Sequence, residues 1–311
     1  MKETWLFEEL QPEEIKINKK IRLIELFGGI GSQAMALRDI GADFEHYRLV
    51  EFDKYAVKSY NAIHGTNFNT QDIKNTHGID LGIERRNEFT YLLTYSFPCT
   101  DLSIAGRKEG MSKESGTRSG LLWEVERILE ELGDNLPDIL IMENVPQVHN
   151  KKNIKDFETW CTFLENKGYK NFWQDMNSSD YGIAQSRNRC FMVSIMGDYY
   201  YEFPDTMQQT TIVDDYLEYE VEDKYFINSE KADKLIEQLI ERGVIEPQNR
   251  TEQNRTEQHC QFAVDMSSNK PQKISIATCI TTAQRGISKR QKEITGVITV
   301  PYELSPSRND R

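Results

Sequence analysis

The sequence predicts an α/β protein: a mainly parallel sheet covered by helices on both faces from Ile21 to Val193, then a smaller, irregular region from about Asp205. Three observations predict it. Short apolar runs alternate with stretches whose apolar residues recur three and four apart, the signature of strands and helices in βαβ units. Turns rich in glycine or bearing proline follow the apolar runs, at Gly28-Gly29-Ile30-Gly31-Ser32 and at Pro98-Cys99. Beyond Asp205 the alternation stops and the composition turns acidic, then basic.

A chain of 311 residues with 38% hydrophobic content has room for one large domain, or a core domain plus a smaller one. The expected organisation is a catalytic and cofactor-binding domain over 1–204 and a partial target-reading region with a tail over 205–311. The formal charge of -12 argues against a wholly basic nucleic-acid protein. It allows a one-faced one, because from Met266 onward eight Lys or Arg stand against three acids. Five cysteines, an odd number with no C-x-x-C pair, argue against a disulfide framework and a structural zinc site, and for a reducing compartment. With no basic leader and no long apolar run, the expectation is a cytoplasmic protein with no membrane partner and no metal.

Residues 1–20 read as a polar leader with little to pack. Ile21–Phe27 reads as a strand, Gly28–Ser32 as a turn and Gln33–Ile40 as a helix closing at Gly41. Gly29, Gly31 and Ala34 fit the G-x-G-x-x-G/A spacing, in which glycine lets a ligand approach the backbone. A tight strand-to-helix turn with no ligand fits the same residues. His46–Val50 reads as a second strand delivering Glu51 about twenty residues after the glycines, where a carboxylate meets ribose hydroxyls. Phe52 beside it is a candidate to stack on an adenine. No G-K-[ST] follows the glycines, which argues against a triphosphate loop. Lys54–His64 is the second helix, and Gln71-Asp72-Ile73 follows what reads as a short strand.

Leu92–Thr100 reads as a buried strand that stops at Pro98 and delivers the Cys99 thiol at its carboxyl end, where open α/β sheets hold ligands. A lone free cysteine is usually core filler. Here glycine, serine and charge follow at once, and Asp101–Ser119 has the composition of a lid. Leu121–Leu132 is a helix. Pro137–Met142 is a strand that carries Glu143-Asn144-Val145-Pro146 to the same edge, an expensive place for an unused acid. Asn153–Lys167 and Asn171–Met176 read as helix and strand. Arg187 and Arg189 fall on alternate positions before and at the start of a further strand, which puts both guanidinium groups on one side; for a bare R-x-R, surface cations are the plainer reading.

In order, Phe27-Gly28-Gly29-Ile30-Gly31, Pro98-Cys99, Glu143-Asn144-Val145 and Gln185-Ser186-Arg187-Asn188-Arg189 resemble the signature of the cytosine-C5 DNA methyltransferases of bacteria and phages. The resemblance runs from about Ile21 to Val193. It implies a Rossmann-like, S-adenosylmethionine-dependent methyltransferase fold that binds double-stranded DNA and leaves S-adenosylhomocysteine as product. It implies that Cys99 adds to C6 of a cytosine turned out of the duplex, activating C5 for the methyl group. Glu143 would hold the base at N3 and its amino group. Arg189, with Arg187, would orient the base and favour the thiolate. Phe27, Gly29, Ile30, Gly31, Glu51, Phe52, Asp72, Ile73 and Pro98 fall where the family binds its cofactor; Ser103, Arg118 and Arg285 fall where it meets DNA.

Thr100 stands where the family most often has Gln. The family's later block and closing Gly-Asn element are not found before Arg311, which leaves three readings. One is an enzyme completed by a second polypeptide, or able to do without the closing segment. Another is a non-catalytic relic or regulator that binds DNA or cofactor. A third, a nicotinamide oxidoreductase, gives Cys99, Glu143 and the arginines no work. In the tail, Ser229–Arg242 reads as an amphipathic helix with Leu235, Leu239 and Ile240 inward. Asn249–Gln253 is repeated verbatim as Asn254–Gln258, a polar loop, and Ile274–Thr282 and Ile294–Val300 read as strands.

Overall fold

The structure, a computed structural model, describes residues 13–99, 102, 110–113, 117–217, 230–243, 259–265, 272–274, 277–278 and 295–301. In chain order the elements are β1 (Glu13–Glu14), β2 (Lys20–Leu26), α1 (Ser32–Asp39), β3 (Phe44–Val50), α2 (Lys54–His64), β4 (Phe89–Tyr95), α3 (Leu122–Glu131), β5 (Ile139–Asn144), α4 (Ile154–Asn166), β6 (Tyr169–Asn177), β7 (Gln185–Ser186), β8 (Asn188–Met196), β9 (Tyr199–Tyr200), α5 (Glu230–Glu241), β10 (His259–Asp265), β11 (Gln272–Ile274), β12 (Ala277–Thr278) and β13 (Thr295–Pro301). They fall into two compact units, Met1–Met176 with Asn188–Pro204, and Asn177–Arg187 with Asp205–Arg311.

The first unit is built on a six-stranded sheet in the order β3-β2-β4-β5-β8-β6. Strands β3, β2, β4 and β5 pair in parallel, and β8 runs antiparallel to β5. Side-chain alternation divides the core between the two faces of this sheet. Ile24, Leu26, Tyr91, Leu93, Leu140, Met142 and Met192 pack with Leu122, Val125 and Leu129 of α3 and Phe157, Trp160 and Leu164 of α4. Their neighbours one residue along, Leu23, Leu92, Ile139, Val193 and Ile195, pack on the opposite face with Ala34 of α1. Burying each large side chain stabilises by roughly 1.5–3 kcal/mol. Trp160 also satisfies its indole N–H on the Tyr95 hydroxyl at 3.0 Å, inside the core.

The second unit holds an antiparallel sheet in the order β11-β10-β13 and a parallel β7–β12 pair. Its described core joins Ala184 to Val213 and Leu217. In α5, Leu239 is buried and Ile240 half-buried; the Leu235 side chain lies outside the described set.

Several expected elements differ. β4 ends at Tyr95, so Ser96, Phe97, Pro98 and Cys99 leave the sheet before the proline is reached, and it is not the proline that terminates the strand. Phe27 belongs to the turn, with φ 57°, rather than to a strand. Asp72 is preceded by irregular chain, not a strand, and caps a 3-10 turn over Ile73–Asn75. Glu143 stands within β5, register partner of Phe191, rather than after it. The leader packs more than its composition suggests: Glu13 and Glu14 pair with Tyr199 and Tyr200, and Ile15 joins the second core cluster. Of the strand expected over 274–282, Ile274 ends β11 and Ala277–Thr278 form β12, while 275–276, 279–282, Ile294 and the duplicated 249–258 lie outside the described residues. Of the expected lid, 101, 103–109 and 114–116 lie outside them as well; Leu102 and Met111 are buried, and Ser119 already starts a 3-10 turn. The break between units falls not only after Pro204 but also around Asn177–Arg187. Among the described residues no helix is long and apolar enough to cross a membrane.

One buried acid sits where the first strand meets the glycine turn. Glu25 is fully buried and accepts the Tyr60 hydroxyl at 2.5 Å, and the Tyr60 oxygen in turn lies 2.7 Å from His46 Nδ1. Burial pushes the Glu25 carboxyl up to about 7, against the lowering effect of the Tyr60 hydrogen bond. An acid whose pKa is raised on folding contributes stability below its unfolded value near 4.5 and loses it as pH rises towards 7. Glu25→Gln keeps the Tyr60 bond and removes the titration. In urea unfolding, the variant is therefore expected to gain on the parent protein by on the order of 3 kcal/mol between pH 4.5 and 7.5; an unchanged difference across that range would refute the assignment.

Candidate active site

The parallel strands deliver their following residues to one edge of the sheet. After β2 the chain turns through Phe27, Gly29 (φ +56°) and Gly31 (φ +83°), left-handed backbone that glycine adopts without strain. A Cβ on Gly31 would run into the rings of Tyr60 and His64, whereas one on Gly29 would meet nothing within 4 Å. The turn is thus pinned beneath and open above. His64 completes the pinning, its Nε2 donating to the Ile30 carbonyl at 3.0 Å. After β3, Glu51 accepts the N–H of Gly29 at 2.9 Å and of Asp53 at 2.8 Å, one on each oxygen, which locks its carboxylate against the turn. Each oxygen keeps a lone pair for a further donor.

Beside Glu51, Phe52 is 75% exposed, and Ile30 on the turn is 46% exposed. Two bare apolar side chains flanking an oriented carboxylate are what a nucleoside needs: faces for the base and an acceptor for ribose hydroxyls. The residues present therefore fit S-adenosylmethionine. Asp72 is half-buried, with Oδ1 accepting the Lys74 N–H at 3.0 Å, and the Ile73 side chain is buried in the main core. Phe27 is half-buried against the same core.

After β4, Ser96 takes up the last β2 carbonyl, and its hydroxyl lies 3.2 Å from Gln33 Nε2 of α1. Phe97 is buried, Pro98 and Cys99 are half-buried, and Cys99 packs against the main core. Two buried groups hold this segment. The Asn144 amide at the end of β5 donates to the Phe97 carbonyl at 2.9 Å, and the Ser119 hydroxyl donates to the Pro98 carbonyl at 2.7 Å. Asn144 also accepts the N–H of Val145 at 2.8 Å.

Glu143 precedes Asn144 and faces the other side of the sheet. Its carboxylate takes the Arg189 Nε–H at 2.9 Å, with both side chains largely shielded at 22% and 16% exposure. Arg189 is two residues from Phe191, the partner of Glu143, and so lies diagonally across the same face. Within the first unit, Glu143 and Arg189 are thus brought together, and Asn144 ties their strand to the segment carrying Cys99.

Arg187 precedes β8 and belongs to the second unit, its N–H bonded to Asn177 Oδ1 at 2.8 Å. The strand itself starts one residue later, at Asn188. Arg118 is exposed, just before the 3-10 turn that leads into α3. Ser103 and Arg285 lie outside the described residues. Sequence reasoning quoted Asn144 without a role and passed over Ser119, Tyr60 and His64. The i, i+4 spacing of Tyr60 and His64 on an amphipathic helix was the one signal available.

Comparison with known proteins adds to this geometry. The sequence pattern of the C-5 cytosine-specific DNA methylases matches residues 21–303, well beyond Val193. The chain is 35% identical over 235 residues to the orphan methyltransferase M.SssI of Spiroplasma monobiae, covering 58% of this chain and 61% of that one. It is 39% identical over 145 residues to the type II methyltransferase M2.ScrFI of Lactococcus lactis subsp. cremoris, covering 46% and 39% respectively. The chain thus spans about 39–61% of the length of these relatives. The fold is similar to the crystal structure of the S. pombe Dnmt2 methyltransferase, with a TM-score of 0.54, 20% identity, and coverage of 71% of this chain and 67% of that one. With a family pattern spanning almost its whole length, a Rossmann-like sheet and an acid–arginine pair tied to a Pro-Cys segment, this chain belongs to the C-5 cytosine-specific DNA methylase family.

Proposed function

We propose that this chain carries the machinery for S-adenosylmethionine-dependent methylation of cytosine C5 in double-stranded DNA, with 1–204 as catalytic and cofactor-binding part and 205–311 as part of the target-reading region. The observation that carries the reading is the Glu143–Arg189 pair at 2.9 Å, held at the same sheet edge as Cys99 by the Asn144–Phe97 hydrogen bond. A carboxyl group oriented by a guanidinium matches the amino group and N3 of a pyrimidine once it carries a proton, and a thiol at the same sheet edge is the nucleophile such a ring needs.

The target cytosine must leave the stack before its C6 can be reached. The Cys99 thiolate adds to C6, breaking the C5–C6 double bond and placing electron density on C5. Glu143 accepts a hydrogen bond from the amino group and, carrying a proton, donates it to N3, which neutralises the negative charge that thiolate addition places there, while Arg189 keeps the carboxyl group aimed and contributes a positive field. S-adenosylmethionine, when bound, supplies a methyl group on a cationic sulfur. Once the methyl is on C5, a base removes the C5 proton, the electrons reform the double bond and Cys99 leaves as thiolate. Glu51, Phe52 and the Gly29–Gly31 turn hold the ribose, base and chain of the cofactor. The basic surplus after Met266 supports phosphate contacts, so DNA binding is expected to weaken with salt.

Incubating the chain with unmethylated duplex of mixed sequence and labelled cofactor tests the reading directly. Methyl transfer is expected to vanish in Cys99→Ser and to fall about 10²–10⁴-fold in Glu143→Gln. A duplex carrying 5-fluorocytosine should trap a denaturant-stable adduct with the parent chain only. Cofactor binding without transfer, in the parent chain and with extracts of its own cell, would make it a binding protein instead. Gly31→Ala is expected to weaken cofactor binding by about tenfold or more in calorimetry, because the added Cβ displaces Tyr60 and His64 beneath the turn; unaltered affinity would place the cofactor elsewhere.

A further inference from the structure

On the face of the β5–β8 pair turned away from Glu143 and Arg189, three side chains from separate elements converge. They are His149, at the end of the 3-10 turn Pro146–His149 that follows β5, Asp175 on β6 and Cys190 on β8. Their ligand atoms all lie within 4.8 Å of one another, and His149 Nε2 is 2.9 Å from Asp175 Oδ1. We propose that His149, Asp175 and Cys190 form a binding site for a single divalent ion of the zinc class.

The donor set selects the ion. Thiolate and imidazole suit zinc or cobalt(II), whereas calcium and magnesium take oxygen ligands. Bonds of about 2.0–2.3 Å place tetrahedral ligand atoms roughly 3.3–3.7 Å apart, which these side chains reach by small rotations. The rest of the shell is prepared for it. Trp173 packs on the His149 ring at 4.7 Å and Phe157 approaches it at 6.1 Å, fixing the orientation of the imidazole. Asp175 and His149 are partly open to solvent, leaving room for water as fourth ligand, as in three-residue zinc sites. Cys190 is buried, so the thiolate–metal bond would be shielded from exchange. On ion binding the thiol proton passes to solvent, and the hydrogen bonds among the three groups are replaced by bonds to the metal. The ion would then clamp the exit of β5, the start of β8 and the edge strand β6. Those are the segments that carry Glu143, Arg189 and Asn144, with Cys190 the register partner of Asn144.

The test uses the full chain stripped with a chelator and titrated with cobalt(II), then with zinc, and reads no methyl transfer, so it stands apart from the proposed activity. One equivalent of cobalt should produce a thiolate-to-cobalt charge-transfer band and quench tryptophan fluorescence through Trp173. Zinc should displace it, and X-ray absorption of the zinc form should show one sulfur at about 2.3 Å with nitrogen or oxygen at about 2.0–2.2 Å. Cys190→Ser should lose the band, His149→Ala should weaken binding at least tenfold, and Cys161→Ser should retain both band and affinity. Absence of stoichiometric binding by the parent chain, or a band that survives in Cys190→Ser, overturns the site. If Cys190→Ser does not fold, the partly exposed His149→Ala decides: affinity equal to the parent's overturns it.

Discussion

Parallel pairing of β2, β4 and β5 is the constraint on which the site depends. Strands that run the same way must end at the same edge, so three unrelated loops are delivered side by side however far apart they lie in the chain. The antiparallel β8 begins where the others end, and Arg189 at its start therefore meets Glu143 at the end of β5. Where the loops leave the sheet, hydrogen bonds take over from strand pairing. Asn144 and Ser119 hold the carbonyls of Phe97 and Pro98, two consecutive main-chain acceptors just before Cys99 that would otherwise have no strand to bond.

The sheet also separates tasks by face. Period-two alternation sends Glu143 and Arg189 to one side and Asn144 and Cys190 to the other, so adjacent residues take different surroundings. Large apolar residues of α3 and α4 cover the second face and stiffen it. Two of the buried polar side chains hold parts of the site: Asn144 the Cys99 segment and Glu25 the glycine turn. Glu25 is the costlier of the two, since burial raises its carboxyl to about 7, yet its bond to Tyr60 fastens β2 to α2 directly below the turn.

Much of this was legible in the chain itself. The span expected for α2 matched the observed one, and the order of the Gly-x-Gly, Pro-Cys, Glu-Asn-Val and Arg-x-Arg blocks pointed to the family that the pattern over residues 21–303 shows. Ends of elements were less legible. β4 stops at Tyr95 because its neighbours stop pairing, not because Pro98 blocks it, and no local signal marks that point. The residues that position the site were least legible. Tyr60 and His64 read as ordinary members of a helix, and only the closeness of Gly31 gives their rings a task.

The sequence by itself determined the class of fold, the family and the types of side chain available for chemistry, because these rest on local periodicity and on short motifs whose members are chain neighbours. Only the tertiary structure decided which side chains meet. It joined Glu143 to Arg189, and it gathered His149, Asp175 and Cys190 from spacings that match no metal motif. The physical reason is that strand register and face are set by pairing between distant segments, and a shift of one residue in either would exchange every partner described.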